Sequence, residues 1–152
     1  MLLRIVFAVA VLLCAAVDAA AQNATPLADY VGASACKACH TAQYDAWEKT
    51  KHAHAITRLS TAERDASQPC VGCHITGATL AADGVNANVQ CEACHGAGRA
   101  HLDAAAAGAA KPGSIVKKPS EGTCVQCHSD KSPHFKFFSY PALVPLVHQV
   151  GK

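Results

Sequence analysis

Cys91-Glu92-Ala93-Cys94-His95 is one of four Cys-x-x-Cys-His pentads in this chain of 152 residues, and the repeated pentad decides the fold. The other copies are Cys36-Lys37-Ala38-Cys39-His40, Cys70-Val71-Gly72-Cys73-His74 and Cys124-Val125-Gln126-Cys127-His128. Two thiols at this spacing can add across the two vinyl groups of one porphyrin, and the histidine that follows becomes the proximal ligand of its iron. The pattern therefore predicts four covalently bound haem c groups. Their predicted attachment residues are Cys36, Cys39, His40, Cys70, Cys73, His74, Cys91, Cys94, His95, Cys124, Cys127 and His128.

Zinc and disulfides are the alternative explanations of the paired cysteines. Zinc ribbons use Cys-x-x-Cys units, but they do not need a histidine directly after every second cysteine. Four structural disulfides would leave all four histidines unexplained. Attachment of haem c explains both cysteines and the histidine of every pentad.

The first residues have the pattern of a secretory leader. A short basic head ends at Arg4, an apolar run covers residues 5–17, and Ala19-Ala20-Ala21 offers a cleavage site. The run is too short to span a bilayer, and it contains Cys14, the one cysteine outside the pentads. We therefore expect a signal peptide at residues 1–21, a single tetrahaem domain at residues 22–152 and a periplasmic location, with no membrane span after cleavage.

The mature chain offers little protein for each of four haems. We therefore expect a mainly α fold with extensive irregular loops, a small multihaem cytochrome c fold in which the haems form the core. Residues 41–59 lack proline and glycine and predict a helix, residues 97–110 predict an alanine-rich helix, and the tail after residue 129 predicts an irregular wrap. Tyr44, Trp47, Leu59 and the phenylalanines at 135–138 are expected to pack on porphyrin.

The charge of the chain does not indicate a nucleic-acid partner. Its formal net charge is +2. Ionised propionates on four haems would outweigh that charge and make the loaded protein acidic.

The sixth ligand of each iron decides what the haem can do. Methionine would raise the potential, but the only methionine is Met1, which leaves with the leader. Nine histidines less the four proximal ones leave five candidates: His52, His54, His101, His134 and His148. We expect at least three of them to be distal ligands, which would give mostly bis-histidine haems of low potential.

The chain resembles the tetrahaem cytochrome c-554 family. The likeness is carried by Tyr30-Val31-Gly32 and the first pentad, by Tyr44-Asp45-Ala46-Trp47 and Lys51-His52-Ala53-His54, by the third pentad with Gly96-Ala97-Gly98 and His101, and by Ser132-Pro133, Phe135, Phe137, Tyr140 and His148. It covers most of the mature chain. Two positions depart from the family pattern: Ala97 replaces the usual proline, and His134 is not an expected histidine.

The resemblance implies a set of distal ligands. His52 corresponds to the distal ligand of the third haem, and His101 corresponds to that of the first. His54 is either a rival of His52 or, as we expect, a residue at the surface or in contact with a propionate. His148 is the candidate for the fourth haem. In the family the second haem, here on His74, can lack a protein ligand on its far face, and His134 could close that face.

Three functions are compatible with this pattern. The first is a periplasmic electron carrier that exchanges electrons with redox proteins through transient docking. The second is a haem enzyme whose open second haem binds a small nitrogen-oxide ligand such as nitric oxide or nitrite, or acts on hydroxylamine. The third is a subunit of a haem polymer in which one copy's histidine ligates the next copy's haem. We expect the carrier, and therefore no catalytic residue.

Overall fold

The structure is a computed structural model that describes residues 25–65, 69–135 and 137–147. The expected leader and His148 lie outside these residues. The described α-helices are short and follow one another as α1 (Ala33–Lys37), α2 (Thr41–Glu48), α3 (Cys91–His95), α4 (Arg99–Ala106), α5 (Glu121–Cys124) and α6 (Tyr140–Val147). Turns of 3₁₀ helix lie at Leu27–Asp29, His52–His54, Ile56–Arg58, Ala62–Arg64 and Val71–Cys73.

Among the described residues there is no β-strand, and a single antiparallel bridge joins Ile75 to Ala87. The rest of the described backbone is turns and loops. The predicted class, mainly α with extensive irregular loops, is confirmed.

Each pentad lies on a helical turn. In the first and fourth copies the histidine N–H donates to the carbonyl of the first cysteine at 2.9 Å, from His40 to Cys36 and from His128 to Cys124. The third copy coincides with α3, and the second forms the turn Val71–Cys73. A helical turn brings residues three apart onto one face, so each pentad can present both thiols to one ligand.

The helix predicted at residues 41–59 ends early, at Glu48, and the chain continues in two 3₁₀ turns. Thr50 ends it, because its N–H and its hydroxyl both donate to the Trp47 carbonyl, at 2.8 and 2.7 Å. Side-chain bonds of this kind compete with helix continuation. The prediction was therefore right for α2 and wrong beyond it.

The predictions for the alanine-rich helix and for the tail were also only partly right. The alanine-rich helix stops at Ala106, and Gly108 adopts a φ of 81° that suits the residue after a helix. The tail, predicted irregular, contains the helix α6 with Pro145 inside it. This prediction was wrong for residues 140–147.

Two small apolar clusters organise the described residues. Trp47 packs with Ala33 and Ala53, and Leu59 packs with Val71 and Ile75. The Trp47 indole N–H donates to the Val89 carbonyl at 2.9 Å, which ties α2 to the segment before the third pentad. The clusters therefore lie beside the pentads and help to position them.

Buried polar side chains brace the loop between the second and third pentads. Asn86 is 1% exposed and donates to the carbonyls of Thr76 and Thr79, while its oxygen accepts the N–H of Ala81. Gln90 accepts the Ala33 N–H at 2.5 Å and donates to the carbonyls of Val85 and Ala87. Buried polar groups of this kind are favourable only when paired, so they fix the loop in one conformation.

Within the described ranges, no helix combines the length and the apolar character that crossing a membrane requires.

Candidate haem sites

Three of the candidate ligands are turned by a hydrogen bond from one ring nitrogen to a backbone carbonyl. The Nδ1 atoms of His74, His95 and His101 lie 2.6, 2.5 and 3.3 Å from the carbonyls of Ala55, Val116 and Gly113. A carbonyl only accepts, so Nδ1 carries the proton in each neutral ring and Nε2 carries a lone pair. Metal-bound histidines have this arrangement, because the outer partner fixes the tautomer and the ring orientation.

His40 and His101 face each other. Their ring centroids are 6.4 Å apart and their planes are inclined by 32°. Two metal–imidazole bonds of about 2 Å, plus about 1 Å from each nitrogen to its ring centre, add up to about 6 Å. The pair therefore fits two imidazoles on opposite sides of one metal ion, the proximal histidine of the first pentad and the trailing histidine of the third.

His52 lies between the third and fourth pentads. It lines a cavity together with Trp47, Cys91, Cys94 and His95, and its ring centroid is 5.9 Å from that of His128. Burial, and then the charge of His128, lower the pKa of His52. A neutral imidazole is the form that binds a metal, so this environment suits a ligand.

His54 is turned differently although it shares the 3₁₀ turn His52–His54. Its Nε2 lies 3.1 Å from the carbonyl of Glu48, and the residue is exposed. Nε2 must therefore carry the proton, and the nitrogen that usually faces a haem iron is already engaged.

His134 and His74 both lie within electrostatic reach of Glu63. Hydrogen bonds from the hydroxyl and the N–H of Ser60 lower the pKa of Glu63, and the charges of His134 and His74 lower it further. Glu63 is therefore the residue through which the described part of the tail and the second pentad are electrostatically linked.

The thiols of different pentads are close to one another. Burial, followed by Cys73, raises the pKa of Cys127 to about 12. A hydrogen bond between Cys36 and Cys91 raises the pKa of Cys36 and lowers that of Cys91. The first pentad is therefore the neighbour of the third, and the second is the neighbour of the fourth.

The Glu92 carboxylate holds the first and third pentads together. It is 4% exposed and accepts the N–H groups of Val31, Gly32 and Gly98, with a shortest distance of 2.7 Å. These donors precede α1 and α4, the helices that carry Cys36 and His101. The sequence pattern does not predict this role of Glu92, because the residue occupies a position that the pentad leaves unspecified.

Zinc and disulfides find no support in this geometry. The described residues bring no three His, Cys, Asp or Glu side chains together as a metal site, whereas structural zinc needs four ligands. The eight pentad cysteines carry free thiols. The donor set fits haem c: paired thiols, a histidine after each pair, and imidazoles turned to present Nε2.

Aromatic residues of the tail are divided between these sites and the surface. Phe138 stacks on the His128 ring with centroids 5.1 Å apart and planes 21° apart, whereas Phe137 is 80% exposed.

Comparison with known proteins gives consistent matches. Residues 35–96 match the family model described as cytochrome c554 and c-prime. These matches support the likeness to the tetrahaem cytochrome c-554 family. Cytochrome c-554 of Nitrosomonas europaea is 30% identical over 100 residues, which cover 51% of this chain and 43% of that protein. The chain thus matches less than half the length of that curated relative.

A solved structure is also similar, that of the reduced state of cytochrome c554 from Nitrosomonas europaea. It superposes with a TM-score of 0.55 at 24% sequence identity and covers 82% of this chain and 84% of that one. At this identity the likeness shows the fold.

Members of the family bind four covalently attached haem c groups, so the predicted cofactor is confirmed. The family is one of multihaem c-type electron-transfer proteins.

Proposed function

We propose that the protein is a periplasmic electron shuttle whose four haems are mostly bis-histidine ligated and of low potential. The observation that carries the proposal is the pair of facing imidazoles, His40 and His101, at 6.4 Å. An iron with histidine on both faces has no open position, so it exchanges electrons without binding a substrate. Without a methionine ligand its potential stays on the low side.

The haems would be held by the four pentads. Thioether bonds from Cys36 and Cys39, Cys70 and Cys73, Cys91 and Cys94, and Cys124 and Cys127 would tether them, with His40, His74, His95 and His128 as proximal ligands. When bound, each haem supplies a one-electron couple at its iron. The protein sets the distance, orientation and potential of these couples.

His101 is proposed as the sixth ligand of the first haem and His52 as that of the third. The cavity shared by His52, Cys91, Cys94 and His95 supports the second assignment. The 5.9 Å separation of the His52 and His128 rings would by the same measure also suit two ligands of the fourth iron, and the resemblance favours the third haem for His52. His148, by resemblance, is proposed as the sixth ligand of the fourth haem.

The pairing of thiols supports a path for electrons. Contacts join the first pentad to the third and the second to the fourth, and His52 joins the third to the fourth. Electrons could therefore pass through all four sites from one docked partner to another. Such partners would be redox proteins of the same compartment, bound through small transient contacts.

Redox cycling tests the shuttle. Holoprotein would be reduced by a small artificial electron donor in an anaerobic cell and then mixed with a one-electron acceptor. We expect all four haems to be reduced and reoxidised reversibly, with no consumption of nitrite or hydroxylamine by the reduced or oxidised protein. Steady turnover of either compound would contradict the assignment as a carrier.

A second candidate function concerns the second haem. The charges of His134 and His74 both act on Glu63, so the imidazole of His134 is a candidate proton donor to a small nitrogen-oxide ligand on an open second iron. Addition of nitric oxide or cyanide to the ferric and ferrous protein separates the two functions. A spectral change at one haem would favour the enzyme, and an unchanged spectrum would indicate that His134 closes the site.

A further inference from the structure

One short segment touches two of the proposed ligands. In residues 113–116, the Gly113 carbonyl faces Nδ1 of His101 at 3.3 Å, and the Val116 carbonyl faces Nδ1 of His95 at 2.5 Å. The Val116 N–H also donates to the His95 carbonyl at 2.9 Å, so the segment is bonded to His95 through both ring and backbone. The two histidines are on different helices, α3 and α4.

The two carbonyls are set by an unusual residue between them. Ser114 has a φ of 69°, a left-handed conformation that residues with a side chain rarely adopt. Its hydroxyl donates to the Gly113 carbonyl at 2.6 Å. The backbone bends at this residue, and this lets two carbonyls three residues apart accept from rings on separate helices.

We propose that residues 113–116 are a shared positioning segment for the first and third haems, and that Ser114 sets its shape. The inference rests on the proposed function, in which His101 ligates the first iron and His95 the third. A carbonyl that accepts the Nδ1 proton makes the imidazole a stronger donor and fixes its orientation. The segment therefore lowers the potentials of two haems together, and more strongly at His95, where the bond is shorter.

Substitution of Ser114 gives the test. Ser114→Val places a β-branched side chain where φ is positive, so the turn should open and both carbonyls should move away from their rings. Ser114→Gly adopts the same φ without strain and keeps the backbone path. Gly108→Val is the matched control for strain, because Gly108 also has a positive φ and its N–H donates to the Ala105 carbonyl, outside residues 113–116.

The readout is an anaerobic redox titration followed by optical and electron paramagnetic resonance spectra, with haem content checked by mass. In Ser114→Val we expect two of the four potentials to rise together and the resonance signals of the same two haems to shift. The larger rise in potential should be about 59 mV for one electron, which is about a tenfold change in the reduction equilibrium constant. Tenfold is the low end of the effect expected when a metal ligand loses its hydrogen-bond partner. Ser114→Gly should restore the parental titration, and Gly108→Val should leave it unchanged.

Three outcomes would overturn the inference: no change in Ser114→Val, a change at one haem only, or an equal change in Gly108→Val. If Ser114→Val yields no loaded protein, Ser114→Ala carries the same test with a smaller distortion. Failure of the proposed function would look different, because the unsubstituted protein would then lack the low-spin signals of bis-histidine haem.

Discussion

At the scale of single residues, the direction in which each imidazole is turned distinguishes candidate ligands from other histidines. His74, His95 and His101 give their Nδ1 proton to a backbone carbonyl, whereas His54 gives its Nε2 proton to the Glu48 carbonyl. A histidine that has committed Nε2 to a carbonyl must break that bond before it can bind iron. The hydrogen-bonding partner therefore separates these three candidate ligands from His54.

Replacement of His101 should open one iron. In His101→Ala the first haem loses its sixth ligand, so one of the four ferric haems should change from low spin to high spin and should bind cyanide or imidazole. His52→Ala should do the same at the third haem. Electron paramagnetic resonance and the optical spectrum of the ferric protein measure the change.

His54→Ala is the matched control for His52→Ala, since both residues belong to one 3₁₀ turn. Every haem that is low spin in the unsubstituted protein should remain low spin in this variant. A high-spin haem in His54→Ala, together with an unchanged spectrum in His52→Ala, would reverse the assignment of these two histidines.

Ser60 and Glu63 form a reciprocal capping arrangement at the turn Ala62–Arg64. The Glu63 carboxylate accepts the hydroxyl and the N–H of Ser60 at 2.7 and 2.8 Å, and the Ser60 hydroxyl accepts the Glu63 N–H at 3.4 Å. These bonds lower the pKa of Glu63. Because the folded state favours the carboxylate, their stabilisation is complete above the unfolded value of about 4.3 and is lost as the pH falls through the lower folded value.

Ser60→Ala should therefore raise the pKa of Glu63 toward its usual value. Carboxyl carbon shifts in a pH titration of the fully reduced protein would measure it, with Thr61→Ala as the neighbouring control. An unchanged Glu63 titration in Ser60→Ala would show that the hydroxyl is not the main cause of the shift.

The sequence predicts the residues that bind haem better than it predicts the residues that hold them in position. The four pentads and the five spare histidines follow from the repeat and from simple counting. The residues that position them, Glu92, Asn86 and Ser114, do not follow from the repeat. They act through loops whose paths no periodic pattern specifies.

At the scale of elements, the Glu92 carboxylate links the segments before α1 and α4 to α3. A buried acceptor that serves three backbone donors is costly to remove, because each donor then lacks a partner. Glu92→Gln keeps the size of the side chain but turns one acceptor oxygen into a donor, which must face one of these N–H groups. We expect a loss of about 1–3 kcal/mol in the free energy of unfolding.

Guanidinium unfolding of the loaded protein, followed by circular dichroism and haem absorbance, would measure that loss. Glu48→Gln is the control, since Glu48 is exposed at the end of α2. If the two variants were equally stable, Glu92 would not hold these elements together.

Helix boundaries show where local patterns fail as predictors. The lack of proline and glycine correctly indicated α2, but Thr50 ends the helix through bonds that its composition did not reveal. Similarly, three prolines favoured an irregular tail, although α6 forms across Tyr140–Val147 with Pro141 near its start, where a missing N–H is tolerated.

At the scale of the whole molecule, the buried apolar residues are few among those described: Ala33, Trp47, Ala53, Ala55, Leu59, Val71 and Ile75. Three of the seven are alanines, whose burial contributes little to stability. We therefore expect the tethered haems to be the main source of folding stability.

Loss of the third haem should accordingly destabilise the fold more than loss of the fourth. The third pentad is where Glu92, Gln90, His52 and Trp47 converge, whereas α5 at the fourth pentad has no buried residue. Replacing Cys91 and Cys94 with alanine should lower the unfolding midpoint more than replacing Cys124 and Cys127. Equal midpoints in variants confirmed by mass to carry three haems would show that the sites support the fold equally.

The central claim is that histidines close both faces of most of the irons. The direct measurement is spin quantitation of the ferric protein by electron paramagnetic resonance, normalised to the haem content found by intact-mass analysis. The account predicts four haems per chain, of which at least three are low spin. A chain with four haems that are mostly high spin would contradict it.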